Sequence, residues 1–301
     1  MRGVYHSGYA HSLMSATVNV NGRISGDRDA VIRVFDHGFL YGEGIYETLR
    51  TYNGRSFLYD RHMTRMRRSA SMIHLVLPFT DAELAARIAD TMAAASLGGA
   101  EAYIRVLVTR GVGDLTYDLL ATPTPTVVVI VKPQLDPSPE AYEKGVRVVM
   151  TTVVRNHPGT VSPMIKSNNL LNSALAMQEA IGLGGFEGVM RNYRGELSEC
   201  TTSNLFVVSH GAALTPPVEA GLLPGITREF LLDIGAAAGV PVREQTLQDA
   251  DLFGADEAFL TSTTRELVPI VQVDDRTIGT GKPGPVTAKL LEEFRRRARA
   301  S

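Results

Sequence analysis

SPMIKSNNLLNSALAMQEA, residues 162–180, passes from an apolar-flanked segment into a helix and sets one lysine, Lys166, at the change. Leu170, Leu171, Ala174, Leu175 and Met177 recur at helical spacing, which predicts a helix over about Ser167–Ile181 with these residues on its buried face. Charged side chains are rarely buried unpaired, so one reading of Lys166 is a surface group. The other follows from its surroundings: the residues before it are apolar, and no acid comes after it until Glu179. An amine partly withdrawn from water loses its proton more easily and can form a Schiff base.

Outward from this stretch the chain divides in two. On the N-terminal side, ATVNVNGRI, AVIRVFDHG and GIYETLRTYNGRSFLYD read as strands, with tight turns at Asn21-Gly22 and Asn53-Gly54. Helices are predicted over about Asp60–Ile73 and Asp81–Ala95, the second opened by a Thr80/Glu83 capping box. AYIRVLVTRG and PTVVVIVKP are strands rich in β-branched residues. KPQLDPSPEAYEK, with three prolines in thirteen residues, reads as a linker, so the expected division is 1–131, a linker at 132–144, and 145–301. The C-terminal part mixes strands (NLFVV, EAFLTS, VPIVQV) with helices near Thr227–Ala238 and Pro285–Arg299. Both parts read as α+β, without the regular alternation of a doubly wound sheet.

Four further features carry chemistry. In GELSECTTSNLFVV, Glu199 precedes small polar residues and a strand; it is either a turn acid or a carboxylate aimed at a cationic ring nitrogen. In AGLLPGITREFLLDIG, Pro224-Gly225 turns the chain into a helix beginning at Ile226-Thr227, where free N–H groups and the dipole suit an anion such as phosphate. FLTSTTREL adds the hydroxyls of Ser262, Thr263 and Thr264 just past a strand. In DRHMTRMRRSA, Arg61, Arg65 and Arg68 share overlapping helical faces, mostly solvated, with one able to reach a phosphate. A lysine, a carboxylate, a helix N-terminus, hydroxyls and an arginine are the inventory that holds pyridoxal phosphate.

In the order FDHGFLYGEGIYETLRTYNG, KSNNLL, SECTTSNLF, LLPGITREFLL, the sequence resembles the class IV aminotransferases, the fold-type-IV pyridoxal-phosphate enzymes, from about Val18 to Arg295. Branched-chain and D-amino acid aminotransferases, (R)-selective amine transaminases and aminodeoxychorismate lyases belong to that group. The resemblance implies an α+β, two-domain architecture: a small N-terminal α/β domain and a larger cofactor-binding domain with a mixed, barrel-like core. It implies pyridoxal 5'-phosphate as cofactor, Lys166 as the Schiff-base lysine and proton shuttle, and Glu199 as partner of the pyridine nitrogen, supported by Asn204. Arg65, Ile226, Thr227 and Thr263 would bind the phosphate. It also implies a homodimer acting on a small amino donor and a 2-oxo acid acceptor.

Substrate choice is read from the same likeness. Tyr41, Tyr46, Tyr103 and Arg105 fall on substrate-pocket positions of the branched-chain enzymes, joined by Thr264 and Phe186. TRGVGDLTYD lacks the Arg-x-His pair with which D-amino acid enzymes trap a carboxylate, while KSNNLL and TSTTREL look more like the D-enzymes. The favoured expectation is a branched-chain-like L-amino acid:2-oxoglutarate transaminase. The alternatives are a D-amino acid or (R)-amine transaminase using Arg110 or Arg191 for the carboxylate, an aminodeoxychorismate lyase, and a non-catalytic cofactor-binding protein.

Composition narrows the classes further. The 301 residues are 44% hydrophobic and 21% charged, which excludes wholesale disorder. A net charge of −2 argues against nucleic acid as partner. No apolar run is long enough to span a bilayer, and MRGVYHSGYAHSL lacks a signal peptide's apolar core, so a cytoplasmic protein is expected. Cys200 is the one cysteine and reads as a buried filler; the seven histidines lack metal-ligand spacing, His37 and His62 reading as structural, and no metal is expected.

Overall fold

The computed structural model describes residues 16–300, so the stretch read against a signal peptide lies outside the described residues. Contacts divide the chain into two compact units. One runs to residue 135 and takes in Lys166–Asn169; the other holds 136–165 and everything from Leu170 on.

The first unit begins with the hairpin β1 (Thr17–Val20) and β2 (Arg23–Gly26), then α1 (His37–Leu40). β3 (Gly44–Tyr52), β4 (Arg55–Ser56), α2 (Tyr59–Met72), α3 (Asp81–Ala94), β5 (Ala102–Thr109) and β6 (Thr126–Pro133) follow. Its antiparallel sheet has the order β2-β1-β6-β5-β3-β4, with α2 packed on β3 and α3 on β1 and β6. The two Asn-Gly turns are where the sequence puts them: Asn21 and Gly22 have φ of 50° and 94°, Asn53 and Gly54 of 51° and 74°. The Thr80/Glu83 capping box also forms.

AVIRVFDHG does not continue the sheet as a strand. The Asp36 carboxylate accepts from the Gly38 N–H and the Thr126 hydroxyl, which turns the chain into α1 instead. Val31, Val34, Phe35 and Phe39 are left exposed.

The second unit contains α4 (Pro139–Glu143), β7 (Val146–Met150), α5 (Leu171–Gly182), β8 (Gly188–Arg191), β9 (Leu197–Cys200), β10 (Asn204–Ser209) and β11 (Ala212–Thr215). α6 (Ile226–Ile234), β12 (Val242–Glu244), α7 (Asp249–Phe253), β13 (Glu257–Ser262), β14 (Glu266–Val273), β15 (Arg276–Thr277) and α8 (Pro285–Ala300) complete it. The sheet order is β12-β11-β10-β13-β14-β7-β8-β9, with β15 on β14, and it mixes parallel and antiparallel pairs. β9 lies at one end of that path yet runs through a three-residue turn into β10 near the other, so the sheet curls back as a half-barrel. Inside it Val148, Leu205, Val207, Leu260, Val268 and Ile270 form the core, and the Phe206 and Phe259 rings stack at 4.8 Å.

Two expectations change here. The proline-rich stretch read as a linker is partly structured: Lys132 and Pro133 end β6, and Ser138 caps α4 with Pro139 in its first turn. Residues 167–170 are not helical, and α5 starts at Leu171. Its buried residues are Ala176 and Ala180, while Leu170, Leu171 and Leu175 are exposed. The small alanines let the helix lie close on the sheet; a Cβ on Gly188 would come 3.3 Å from that of Ala180. The helical period was legible, but its phase was set by close packing rather than by the largest side chains.

Candidate active site

Lys166 is placed by backbone hydrogen bonding. Its carbonyl accepts from the Tyr46 N–H at 2.9 Å, and the Asn168 N–H donates to the Gly44 carbonyl at 2.9 Å. The Lys166 N–H donates to the Ser69 hydroxyl of α2 at 3.1 Å. The segment therefore pairs along the first residues of β3, which groups it with the first unit rather than with the cofactor-binding region to which the sequence reading assigned it. Gly44 permits the approach, since a Cβ there would stand 2.4 Å from Asn168 Nδ2. Lys166 Nζ sits 4.5 Å from the centroid of the Tyr46 ring, and the Arg105 guanidinium sits 4.1 Å from the same centroid. Register explains the second contact: Arg105 of β5 lies opposite Thr48, which shares a face of β3 with Tyr46.

The opposite face of β3 presents Glu47 to α2. Its carboxylate takes both Arg65 Nε and Arg65 Nη2 at 2.7 Å, and His62 Nδ1 lies 2.7 Å away. All three side chains are buried. Burial opposes ionisation of Glu47, but Arg65 and His62 overcome it and hold the carboxyl well below its ordinary range. Burial also disfavours the His62 cation and lowers its pKa despite the pull of Glu47. The neutral ring therefore contributes fully above its ordinary value of 6.5, and that contribution is lost as pH falls below it. Glu47 adds a second loss below its ordinary 4.5. Urea denaturation from pH 8 to 5 is expected to show stability falling from about 6.5 downward, with a shallower fall in His62→Asn; equal slopes for the two proteins would contradict this account.

In the second unit Glu199 is the penultimate residue of β9 and is buried. Arg155 Nε donates to its Oε1 at 2.7 Å, while Asn204 Nδ2 and the Leu223 N–H donate to Oε2 at 3.2 Å each. Arg155 also donates to Asn172 of α5. Asn204 thus supports Glu199, as the sequence suggested; nothing local pointed to Arg155, which meets Glu199 from 44 residues away.

α6 begins after Gly225 without any side-chain cap, so the donors of its first turn, around Ile226 and Thr227, have no partner within the helix. A Cβ on Gly225 would stand 1.9 Å from Asn204 Oδ1, so the approach requires glycine. Asn204 pairs in register with Thr261, which brings the end of β13 alongside. There the Thr261 and Ser262 hydroxyls are buried without hydrogen-bond partners, and Thr263 and Thr264 are half-buried. Uncapped helix donors beside orphaned hydroxyls fit a phosphate. On α2, Arg68 Nε and Nη2 are buried and unpartnered, while two donors of Arg65 are committed to Glu47.

Of the remaining predicted residues, Tyr103 lies near Lys132, Tyr41 packs against the His37 and Tyr117 rings, and Phe186 lies under the Arg265 guanidinium. The two arginines considered as carboxylate traps are engaged elsewhere. Arg110 is buried, not a solvated surface group; it donates to the Ile73 and His74 carbonyls and pairs with Glu43. Arg191 is bound by both oxygens of Asp249. His37 is held by Glu43 and the Asp114 carbonyl. Cys200 is buried, and burial beside Glu187 and Glu199 pushes its thiol up.

In the first unit a lysine amine lies on an aromatic ring; in the second a carboxylate is held by Arg155, Asn204 and the Leu223 N–H, and an uncapped helix start stands beside orphaned hydroxyls, groups suited to amine and to phosphate chemistry respectively. Residues 44–273 match the class IV amino-transferase family model, and the chain belongs to that family of pyridoxal-phosphate-dependent aminotransferases. It is 37% identical over 278 residues to a Methanocaldococcus jannaschii protein provisionally named a branched-chain-amino-acid aminotransferase, covering 92% of this chain and 95% of that one. It is 32% identical to a D-alanine aminotransferase of Listeria monocytogenes, over 92% and 94%. Among solved structures, the branched-chain amino acid aminotransferase of Escherichia coli superposes with a TM-score of 0.88 at 30% identity, covering 93% of each chain.

Proposed function

We propose that this aminotransferase moves the amino group of a branched-chain-like L-amino acid to 2-oxoglutarate. The observation that carries the reading is the Tyr46 ring, which takes both the Lys166 amine and the Arg105 guanidinium. Among the described residues no carboxylate pairs with Arg105, so its charge is left for a substrate carboxylate, with Tyr46 and Tyr103 lining the approach. Arg110 and Arg191 are neutralised by protein acids, which disfavours the D-amino acid alternative. Relatives named for branched-chain substrates support the same choice.

Bound pyridoxal phosphate supplies an aldehyde that takes up the amino group and a ring that withdraws electrons. Ile226, Thr227 and Thr263 would hold its phosphate, the family resemblance adding Arg65, and Glu199, braced by Asn204, would keep a proton on the ring nitrogen. Lys166 Nζ, which lies over the Tyr46 ring, would be the amine that meets the cofactor and would carry the proton taken from the substrate Cα. Thr264 and Phe186 complete the substrate side.

The protein acts as a homodimer. Two segments of the first unit, around Phe35 and after Gly113, are joined by the Gly113 N–H to Phe35 carbonyl bond at 3.1 Å, and they expose Val31 and Phe39 on the one and Tyr117 and Leu120 on the other. Such a patch suits burial against a second copy.

The deciding experiment mixes the cofactor-loaded, yellow protein with L-leucine, L-glutamate, D-alanine, D-glutamate and (R)-1-phenylethylamine in turn. L-Leucine and L-glutamate are expected to bleach the visible band; faster bleaching by D-alanine or the amine would overturn the assignment. Repeated release of pyruvate from aminodeoxychorismate with no acceptor present, and without the amine form of the cofactor accumulating, would identify a lyase.

A further inference from the structure

Glu187 is fully buried, yet it has no place in the chemistry derived above. It immediately precedes β8, and the antiparallel pairing of β8 with β9 brings it beside the turn that follows Glu199. Every residue of that turn donates to it. The Thr201 hydroxyl and the Thr202 N–H reach Oε2 at 3.0 and 2.9 Å. The Thr202 and Ser203 hydroxyls reach Oε1 at 2.7 and 2.8 Å. A fifth donor, Arg265 Nη1, arrives on Oε1 from the turn between β13 and β14. The register Asn204↔Thr261 is what sets the two turns side by side.

The same Arg265 Nη1 also donates to the Thr202 hydroxyl at 3.0 Å, and its guanidinium lies 5.1 Å from the Phe186 ring centroid. One turn thus joins Glu199 to Asn204, and the other carries Thr263 and Thr264; a single carboxylate ties them together. Five donors saturate the roughly four acceptor sites of an ionised carboxylate, so a shift of either turn takes hydrogen bonds from a fully buried charge.

The geometry points to Glu187 and Arg265 as positioning residues, which hold the ring-nitrogen acid and the phosphate hydroxyls at a fixed spacing. This rests on the cofactor roles proposed above for Glu199 and Thr263. A clamp that only stabilised the fold would change melting temperature alone. A positioning clamp changes how the cofactor is held.

Arg265→Met is the deciding variant, because Arg265 is half-exposed and methionine keeps an apolar stem on Phe186. Glu187→Gln serves as the second variant. Apoprotein is titrated with pyridoxal phosphate, and the visible absorbance of the loaded protein is followed against pH. The expected result for Arg265→Met is a dissociation constant raised about tenfold, as when an outer hydrogen-bond partner of a ligating group is lost, with a shifted pH profile of the band. Unchanged affinity and an unchanged profile in Arg265→Met overturn the proposal, whatever happens to its melting temperature. If Glu187→Gln does not fold, Arg265→Met decides alone. Wild-type protein that takes up no cofactor overturns the underlying reading as well, and so is told apart from failure of the clamp.

Discussion

On the role proposed for Lys166, Lys166→Ala is expected to lower amine transfer by up to about 10⁴-fold while leaving the fold intact, since a positioned proton carrier supplies up to that much. The two effects separate because Lys166 is held through its backbone. Its carbonyl and N–H bond to Tyr46 and Ser69, and alanine keeps both. The side chain forfeits its contact with the Tyr46 ring, worth about 0.5–1 kcal/mol at a partly exposed site. Melting temperature should therefore move little while turnover collapses, and added small amines should restore part of it. Ordinary turnover by the variant without added amine would remove the basis of the mechanism.

The second large effect concerns stability. Glu47→Ala removes the carboxylate that takes two donors of the buried Arg65 guanidinium and deprives His62 of its acceptor. A buried ion pair adds little over an apolar replacement, because desolvation consumes most of the attraction; removing one member is another matter. The expected loss is about 3–5 kcal/mol, or roughly 10 °C in melting temperature for a chain of this size. Glu47→Gln should lose less, since an amide still accepts from Arg65. Thermal unfolding of both variants checks this, and a change under about 1 kcal/mol for alanine would show that the site relaxes or admits water.

Features that depend on neighbours a few residues away were legible in the sequence. The Asn-Gly turns, the Thr80/Glu83 box and the start of α6 after Pro224-Gly225 are local decisions, fixed by φ preference and capping. Lys166, Glu199, Asn204 and Ile226 could be singled out because short motifs carry them, and family resemblance gave them roles. What stayed hidden depends on pairing across the chain. Glu47 meets Arg65 from 18 residues away, Arg155 meets Glu199 from 44, and Arg265 meets Glu187 from 78. No local pattern marks one arginine as a buried partner and another as a solvated one. Val31, Val34 and Phe35 misled for the complementary reason: alternation signals a strand when one face is covered, and here these side chains are exposed.

The four residues Lys166–Asn169 also set how the polypeptide can be cut. A fragment ending at residue 135 would contain every named strand of the six-stranded sheet but not the short segment that closes the start of β3. The Tyr46 N–H and the Gly44 carbonyl would then lie on an open edge, a template for strands of other molecules. Lys166 thus doubles as a selvedge for the start of β3, and a single cut at residue 135 cannot give a first unit with that edge closed.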